Sequence, residues 1–210
     1  MLRVFIADDH AIVREGLKQI LAETSDMVVA GEAANGREVL DQMREDDWDV
    51  ILLDISMPGR DGLDALKQLK HEKPGVPVLI LSMYPEEQYA VRALRAGASG
   101  YLTKESAPEE LVAAIRKVSQ GGEYVSISLG ERLASYVKRG GERALHEMLS
   151  DREYEVMLMI ASGKTVKEIA GDLSLSAKTI STNRARLLKK MGMKNNAEIT
   201  YYAIKKGLTA

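Results

Sequence analysis

Through the first 120 residues, short dense apolar runs alternate with longer segments whose apolar positions recur every three or four residues. The short runs, Arg3 to Ala7, Met27 to Glu32, Asp49 to Asp54, Val76 to Ser82 and Gly100 to Thr103, read as strands. The intervening segments read as helices: Ile12 to Leu21, Arg37 to Glu45, Gly62 to Lys70, Glu87 to Ala96 and Ala107 to Ser119. Ser106 with Glu109 three residues on is a helix-start signature for the last of these. In Val50-Ile51-Leu52-Leu53 every position is apolar, which predicts a strand covered on both faces and hence a parallel sheet between helical layers. Five strands alternating with five helices predict a doubly wound α/β domain with the flavodoxin-like sheet order 2-1-3-4-5.

Gln120-Gly121-Gly122 ends this pattern. A helical segment around Leu129 to Arg139, Gly140-Gly141 and a charged stretch to Met148 read as a linker containing one helix. From Leu149 the periodicity is wholly helical. Ser150 with Glu153 and Thr165 with Glu168 form capping boxes opening Tyr154 to Ser162 and Val166 to Leu173. The turn Ser174-Leu175-Ser176 leads to a helix from Ala177 to Met191, stopped by Gly192, and Ala197 to Lys206 follows, stopped by Gly207. A short helix, a three-residue turn and a longer basic helix make a helix-turn-helix. The expected organisation is an α/β domain over residues 1–121, a linker over 122–148 and an all-α domain over 149–210.

Charge sharpens this division. The net charge of -2 conceals 11 Lys and Arg against 6 Asp and Glu from Leu149 onward, and 18 against 25 before it. An acidic first part and a basic last part suit different partners, the second a polyanion. With no cysteine, disulfides, thiolate metal sites and cysteine nucleophiles are excluded. The opening apolar run gives way at once to Asp8 and Asp9, too soon for a signal peptide, and no later run is long enough to span a bilayer; a cytoplasmic protein is expected.

The order 2-1-3-4-5 makes strands one and three neighbours, setting Asp8 and Asp9 beside Asp54 at the carboxyl edge of the sheet, where open α/β sheets bind ligands. Crowded carboxylates call for a hard divalent cation, Mg²⁺ or in its place Mn²⁺. Strand four ends in Ser82 and strand five runs into Lys104, which points a hydroxyl and an ammonium into the same mouth. Asp8-Asp9 alone is more often a helix cap than a metal site, and Lys104 alone is usually a solvated surface charge; their joint placement makes the argument. A metal, a nucleophilic carboxylate, a hydroxyl and a cation are parts for receiving a phosphoryl group.

On these residues the segment from Leu2 to about Gly121 resembles the receiver domain of two-component response regulators. The resemblance implies that Asp54 is the phospho-acceptor and that Asp9 and the Ser56 carbonyl ligate the metal with Asp54, Asp8 helping through water. It further implies that Lys104 pairs with the phosphoryl group, that Ser82 moves to hydrogen-bond it, and that Tyr101 swings inward as the packing readout. Glu105 departs from the proline that many receivers carry after the lysine.

In the segment from Ala177 to Met191, Ile180, Leu187 and Met191 form an inward stripe, with Leu188 beside it. Lys178, Ser181, Thr182, Ala185 and Lys189 fall on other faces, offering small polar side chains for base edges and cations for phosphates. Leu149-Ser150-Asp151-Arg152-Glu153, Lys167-Glu168-Ile169-Ala170 and Lys178-Thr179-Ile180 resemble the C-terminal domain of the LuxR and NarL type over about Leu149 to Leu208. This implies DNA contacts from Lys178, Thr179, Ser181, Thr182, Ala185 and Arg186, with Lys189 and Lys190 as further cations, and a dimer contact from Ile199, Tyr202 and Ala203. Asn183 stands where the family frequently has histidine.

Together the two resemblances imply a NarL/FixJ-type transcriptional regulator, phosphorylated on Asp54 by a sensor histidine kinase. The phosphorylated homodimer would read promoter DNA at two half-sites roughly 34 Å apart. Such a chain accepts a phosphoryl group and can lose it again, but is not a turnover enzyme. Two alternatives differ in class. One is a Mg²⁺-dependent small-molecule phosphohydrolase with Asp54 as nucleophile, though Ser56 stands where haloacid-dehalogenase-type enzymes carry their second aspartate. The other is a DNA-binding regulator independent of phosphorylation.

Overall fold

A computed structural model of the chain describes residues 1–57, 62–106, 108–126, 129–131, 134 and 144–209. The chain divides into two compact units, Met1–Leu133 and Ala134–Ala210. Among the described residues no helix is long and apolar enough to cross a membrane.

In the first unit the strands are β1 (Leu2–Ala7), β2 (Met27–Ala33), β3 (Val50–Leu53), β4 (Val78–Ser82) and β5 (Gly100–Thr103). They alternate with α1 (Ala11–Ala22), α2 (Gly36–Glu45), α3 (Gly62–Glu72), α4 (Glu86–Arg95) and α5 (Pro108–Ser119). The sheet runs β2-β1-β3-β4-β5 and every pairing is parallel, the predicted order. All residues of β3 and β4 are buried, which is why their sequences show no polar alternation. Leu17 and Leu21 of α1 and Leu111, Ile115 and Val118 of α5 pack with Val4, Ile6, Leu52, Leu79 and Leu102 into one core layer. Burying each such side chain is worth about 1.5–3 kcal/mol, so sheet and helices hold each other in place.

Boundaries differ from expectation where local chemistry intervenes. Strand β4 starts at Val78, after Pro77, which has no N–H to give a ladder and serves through its carbonyl, accepting from Ile51 N. Helix α5 opens on Pro108, a residue suited to a first helical position, so Ser106 lies two residues outside it. The Ser106 hydroxyl sits 3.5 Å from Thr103 Oγ1 instead.

The segment expected to begin the linker is partly attached to this unit. Tyr124 N donates to Ser99 O at 2.8 Å, and Tyr124 bridges Gly100 on the outer edge of β5. Glycine is required there, because a Cβ would stand 2.7 Å from Tyr124 O and 2.8 Å from Leu79 Cδ1. Ser126 Oγ donates to Glu86 Oε2 at 2.5 Å and accepts from Leu129 N, and Leu129 is fully buried. Most of the expected helix from Leu129 to Arg139, the Gly140-Gly141 pair and the Pro58-Gly59 turn lie outside the described residues.

In the second unit a 3₁₀ turn, Leu145–Met148, stands where the sequence reads as linker. His146 closes it onto the domain: its Nδ1 lies 2.9 Å from Tyr202 Oη. Four α-helices follow: α6 (Asp151–Ala161), α7 (Val166–Asp172), α8 (Ala177–Met191) and α9 (Asn196–Lys205). Both predicted capping boxes are formed, with Ser150 accepting from Glu153 N and Thr165 from Glu168 N. Because Ser150 is itself the cap, α6 starts at Asp151, three residues before the expected Tyr154; Asn195 likewise starts α9 at Asn196. Gly192 ends α8 at φ 66°, a left-handed conformation that favours glycine. Tyr154, Met157, Ile169, Ile180, Leu187, Ile199 and Ala203 are buried in this unit.

Candidate functional site

The parallel pairing of β1 with β3 aligns Ala7 with Leu53, so the residues that follow both strands emerge together. Asp54 N donates to Ala7 O at 2.8 Å, fixing Asp54 beside Asp8. From the other side Lys104 N donates to Ser82 O, holding the end of β5 against the end of β4. Lys104 Nζ then lies 2.7 Å from Asp54 Oδ2 and 2.6 Å from Asp8 Oδ2. All three side chains are nearly inaccessible, at 6% for Lys104, 1% for Asp54 and 2% for Asp8. Each carboxylate keeps a second donor: Ser56 N at 2.9 Å on Asp54 Oδ1, and His10 N at 2.8 Å on Asp8 Oδ1.

Burial pushes the Asp54 carboxyl above its ordinary range; the Lys104 ammonium and Ser56 N–H act against this, and the Asp8 charge adds to it. For Lys104 burial acts downward, but the Asp54 and Asp8 carboxylates outweigh it and raise the ammonium's pKa. The pocket therefore keeps the Lys104 amine protonated, its Nζ lying between the carboxyl groups of Asp54 and Asp8.

Asp8, Asp9, His10 and Asp54 offer ligand atoms within 4.8 Å of one another. Asp9 Oδ1 is shielded from solvent yet receives no hydrogen bond, and His10 Nδ1 stands 2.9 Å from it. An oxygen-rich set in which Asp9 Oδ1 receives no hydrogen bond and faces the His10 imidazole is a chemical match for a hard divalent cation. His10 is the member that the sequence reading passed over, although an imidazole directly after two aspartates is a legible signal.

Ser82 and Tyr101 are both fully buried. The Ser82 hydroxyl accepts from Tyr84 N at 3.1 Å, and the Tyr101 hydroxyl donates to Tyr84 O at 2.8 Å. Tyr101 thus already lies inward, tied to the β4–α4 turn. Burial pushes its phenol far above the ordinary range.

On α8 the inward stripe is as expected, with Ile180, Leu187 and Met191 buried. Lys178, Thr179, Ser181, Thr182, Ala185, Arg186 and Lys189 are exposed. Thr182 Oγ1 donates to Lys178 O and Asn183 Nδ2 to Thr179 O, so these two polar side chains rest on their own helix. Lys190 is placed differently from the other cations: its Nζ lies 2.5 Å from Glu153 Oε2.

The expected dimer contact needs correction. Ile199 and Ala203 are wholly inaccessible in the core of their own domain, and Tyr202 is engaged by His146. At 3.6 residues per turn the opposite face of α9 carries Tyr201 and Ile204, which are 67% and 59% exposed. The apolar spacing that marked Ile199 and Ala203 is the signature of a core stripe, and the exposed aromatic between them was the signal for the free face.

Residues 4–116 match the response regulator receiver domain family, and residues 147–203 match the bacterial regulatory proteins of the luxR family. The chain is 36% identical to the response regulator UvrY of Escherichia coli over 209 residues, covering 99% of this chain and 96% of that protein. It is 38% identical to the oxygen regulatory protein NreC of Staphylococcus aureus over 214 residues, covering 99% of each. Among solved structures, RcsB from Salmonella enterica serovar Typhimurium bound to promoter rprA is similar with a TM-score of 0.64 at 29% identity, covering 96% of this chain and 97% of that one. The chain thus belongs to the two-component response regulators of the NarL/FixJ family, with a receiver domain followed by a LuxR-type helix-turn-helix domain.

Proposed function

We propose that this chain is a phosphorylation-activated, DNA-binding transcriptional regulator whose phospho-acceptor is Asp54. The observation that carries the reading is the Lys104 ammonium held between Asp54 and Asp8 at the carboxyl edge of the sheet. In the proposed reaction a carboxylate oxygen of Asp54 forms a bond to phosphorus while the P–N bond of a sensor kinase's phosphohistidine breaks. The electron pair of that bond and a proton taken up from solvent go to the departing imidazole, leaving neutral histidine. Lys104 then exchanges its carboxylate partner for the new phosphoryl oxygens. Mg²⁺ or Mn²⁺, held by Asp9, Asp54 and the Ser56 carbonyl with Asp8 beside them, would neutralise charge on the phosphoryl oxygens. The absence of a carboxylate at Ser56, two residues after Asp54, favours a stable acceptor over a turnover phosphohydrolase.

Ser82 would turn from Tyr84 N toward the phosphoryl group, altering the β4–α4 turn that also holds Tyr101. The output is DNA binding in the cytoplasm through the exposed face of α8, with Lys178, Thr179, Ser181, Thr182, Ala185, Arg186 and Lys189 against DNA. RcsB has been solved as two dimers bound to two parallel DNAs, which supports a homodimer here, with the Tyr201 and Ile204 face as its contact. The working domains are 1–121 and 149–210, with 122–148 joining them. The direct test is incubation with acetyl phosphate and Mg²⁺: one phosphoryl group per chain is expected, and uptake unchanged in Asp54→Asn overturns the assignment.

A further inference from the structure

Helix α8 carries several cations, and the structure divides them into two groups. Lys178, Arg186 and Lys189 are exposed and, among the described residues, pair with no carboxylate. Lys190 is itself 42% exposed, but its Nζ lies 2.5 Å from Glu153 Oε2, whose side chain is only 4% exposed. The same oxygen accepts from Ser150 N at 2.8 Å, closing the capping box that opens α6. Arg184 is also occupied, its Nε donating to Asn196 Oδ1 at 2.6 Å on the first residue of α9. The C-terminal half of α8 is therefore tied to α6 through Lys190 and to α9 through Arg184.

From this geometry we infer that Lys190 and Glu153 are positioning residues, fixing the seating of α8 on α6 for base reading, and that Lys190 is not a phosphate contact. The inference rests on the DNA-binding reading of this domain and replaces the role that the sequence suggested for Lys190. To neutralise a phosphate, Lys190 would have to leave a nearly inaccessible carboxylate without its counter-cation, and a buried charge without its partner is costly. Although burial acts to raise it, the Glu153 carboxyl is held below its ordinary range by Lys190 and by Ser150, so Glu153 is ionised at neutral pH. Base edges are read by side chains placed to within about 0.5 Å and 10–20°, a tolerance that a rocking helix exceeds. Phosphate neutralisation by a flexible surface lysine is far more forgiving.

Salt dependence separates the two roles. The full chain and its variants would be titrated across a salt series against a duplex recovered by selection with the full chain, and against a scrambled duplex of equal length. Lys189→Met, the phosphate-contact control, is expected to weaken both duplexes alike and to reduce the salt slope by about 0.9. Lys190→Met and Glu153→Gln are each expected to leave the slope unchanged and to cut the preference for the selected duplex about tenfold. The double variant is expected to match the worse single one, because the two residues form one interaction. Gln can still accept from Ser150 N, and Lys190→Met leaves the cap intact, so each variant keeps the start of α6. A purely structural role would lower the melting temperature yet leave the preference of the folded protein unchanged well below it, and that result overturns the inference. A slope reduced by about 0.9 in Lys190→Met, with preference intact in Glu153→Gln, overturns it as well. Wild-type protein that prefers no duplex defeats the DNA-binding reading itself, a result distinct from either.

Discussion

Lys104→Met isolates the electrostatics of the acceptor pocket, because methionine keeps most of the side chain's length and deletes only its charge. It leaves Asp54 and Asp8 nearly inaccessible and without the ammonium that lies 2.7 Å and 2.6 Å from them. Removing one partner of a buried ion pair costs about 3–5 kcal/mol; the lower figure applies here, since one carboxyl can take up a proton. A loss of about 3 kcal/mol in unfolding free energy is expected at neutral pH without divalent ions. Mg²⁺ at a hundred times its dissociation constant adds about 2.7 kcal/mol to a folded protein that binds it, and more where no ammonium competes. Both proteins gain from the ion, so the gap narrows only by the difference in affinity, about 1.4 kcal/mol for a tenfold tighter site in the variant.

The pH dependence has a fixed sign. The Lys104 pKa is raised on folding, so its stabilisation is complete below its ordinary value of 10.5 and is lost only as pH rises through the folded one. The Asp54 pKa is also raised, so its ionised form opposes folding, and deleting Lys104 removes the charge that most offsets this. The variant should thus regain stability as pH falls through the raised Asp54 value, narrowing its deficit. The assay is urea unfolding followed by the fluorescence of Trp48, the single tryptophan, buried in the receiver unit. A deficit identical with and without Mg²⁺, and identical at about pH 5 and about pH 8, would refute the assignment of Lys104 as the pocket's counter-charge.

Ile180→Ala should cost the C-terminal domain about 2–5 kcal/mol by thermal melting, because that side chain is fully buried. Thr182→Ala on the exposed face should change stability by less than about 0.5 kcal/mol and alter base preference in a selection experiment; equal stability losses in the two would contradict the facing of α8. Gly100→Ala places a methyl 2.7 Å from Tyr124 O, so hydrogen exchange at Tyr124 N should accelerate while that at Ile80 stays slow. Unchanged protection at Tyr124 would show that its segment is held by other contacts.

The receiver half was the more legible one, for a physical reason. A fully apolar strand such as Val50–Leu53 can only be buried on both faces, and a carboxylate that ends it must reach the sheet edge. Caps and stops were equally local: Ser150, Thr165 and Gly192 act within one helical turn, so their chemistry is written in adjacent residues. Ser106 with Glu109 has the same pattern but does not cap, because Pro108 claims the first helical position.

What one sequence determined, then, was every property set by near neighbours or by strict periodicity: the five strands and their order, the inward stripe of α8, and the meeting of Asp8, Asp9, Asp54 and Lys104. Only the tertiary structure decided which of two similar groups does which job. Ile199 and Tyr201 lie two residues apart in α9, yet one fills the core and the other faces out, because packing on α6 selects the face. Lys189 and Lys190 are adjacent and identical, yet Lys190 alone meets a buried carboxylate 37 residues away in the chain. Periodicity gives a helix a face, but only the partners folded against it say what each side chain on that face is for.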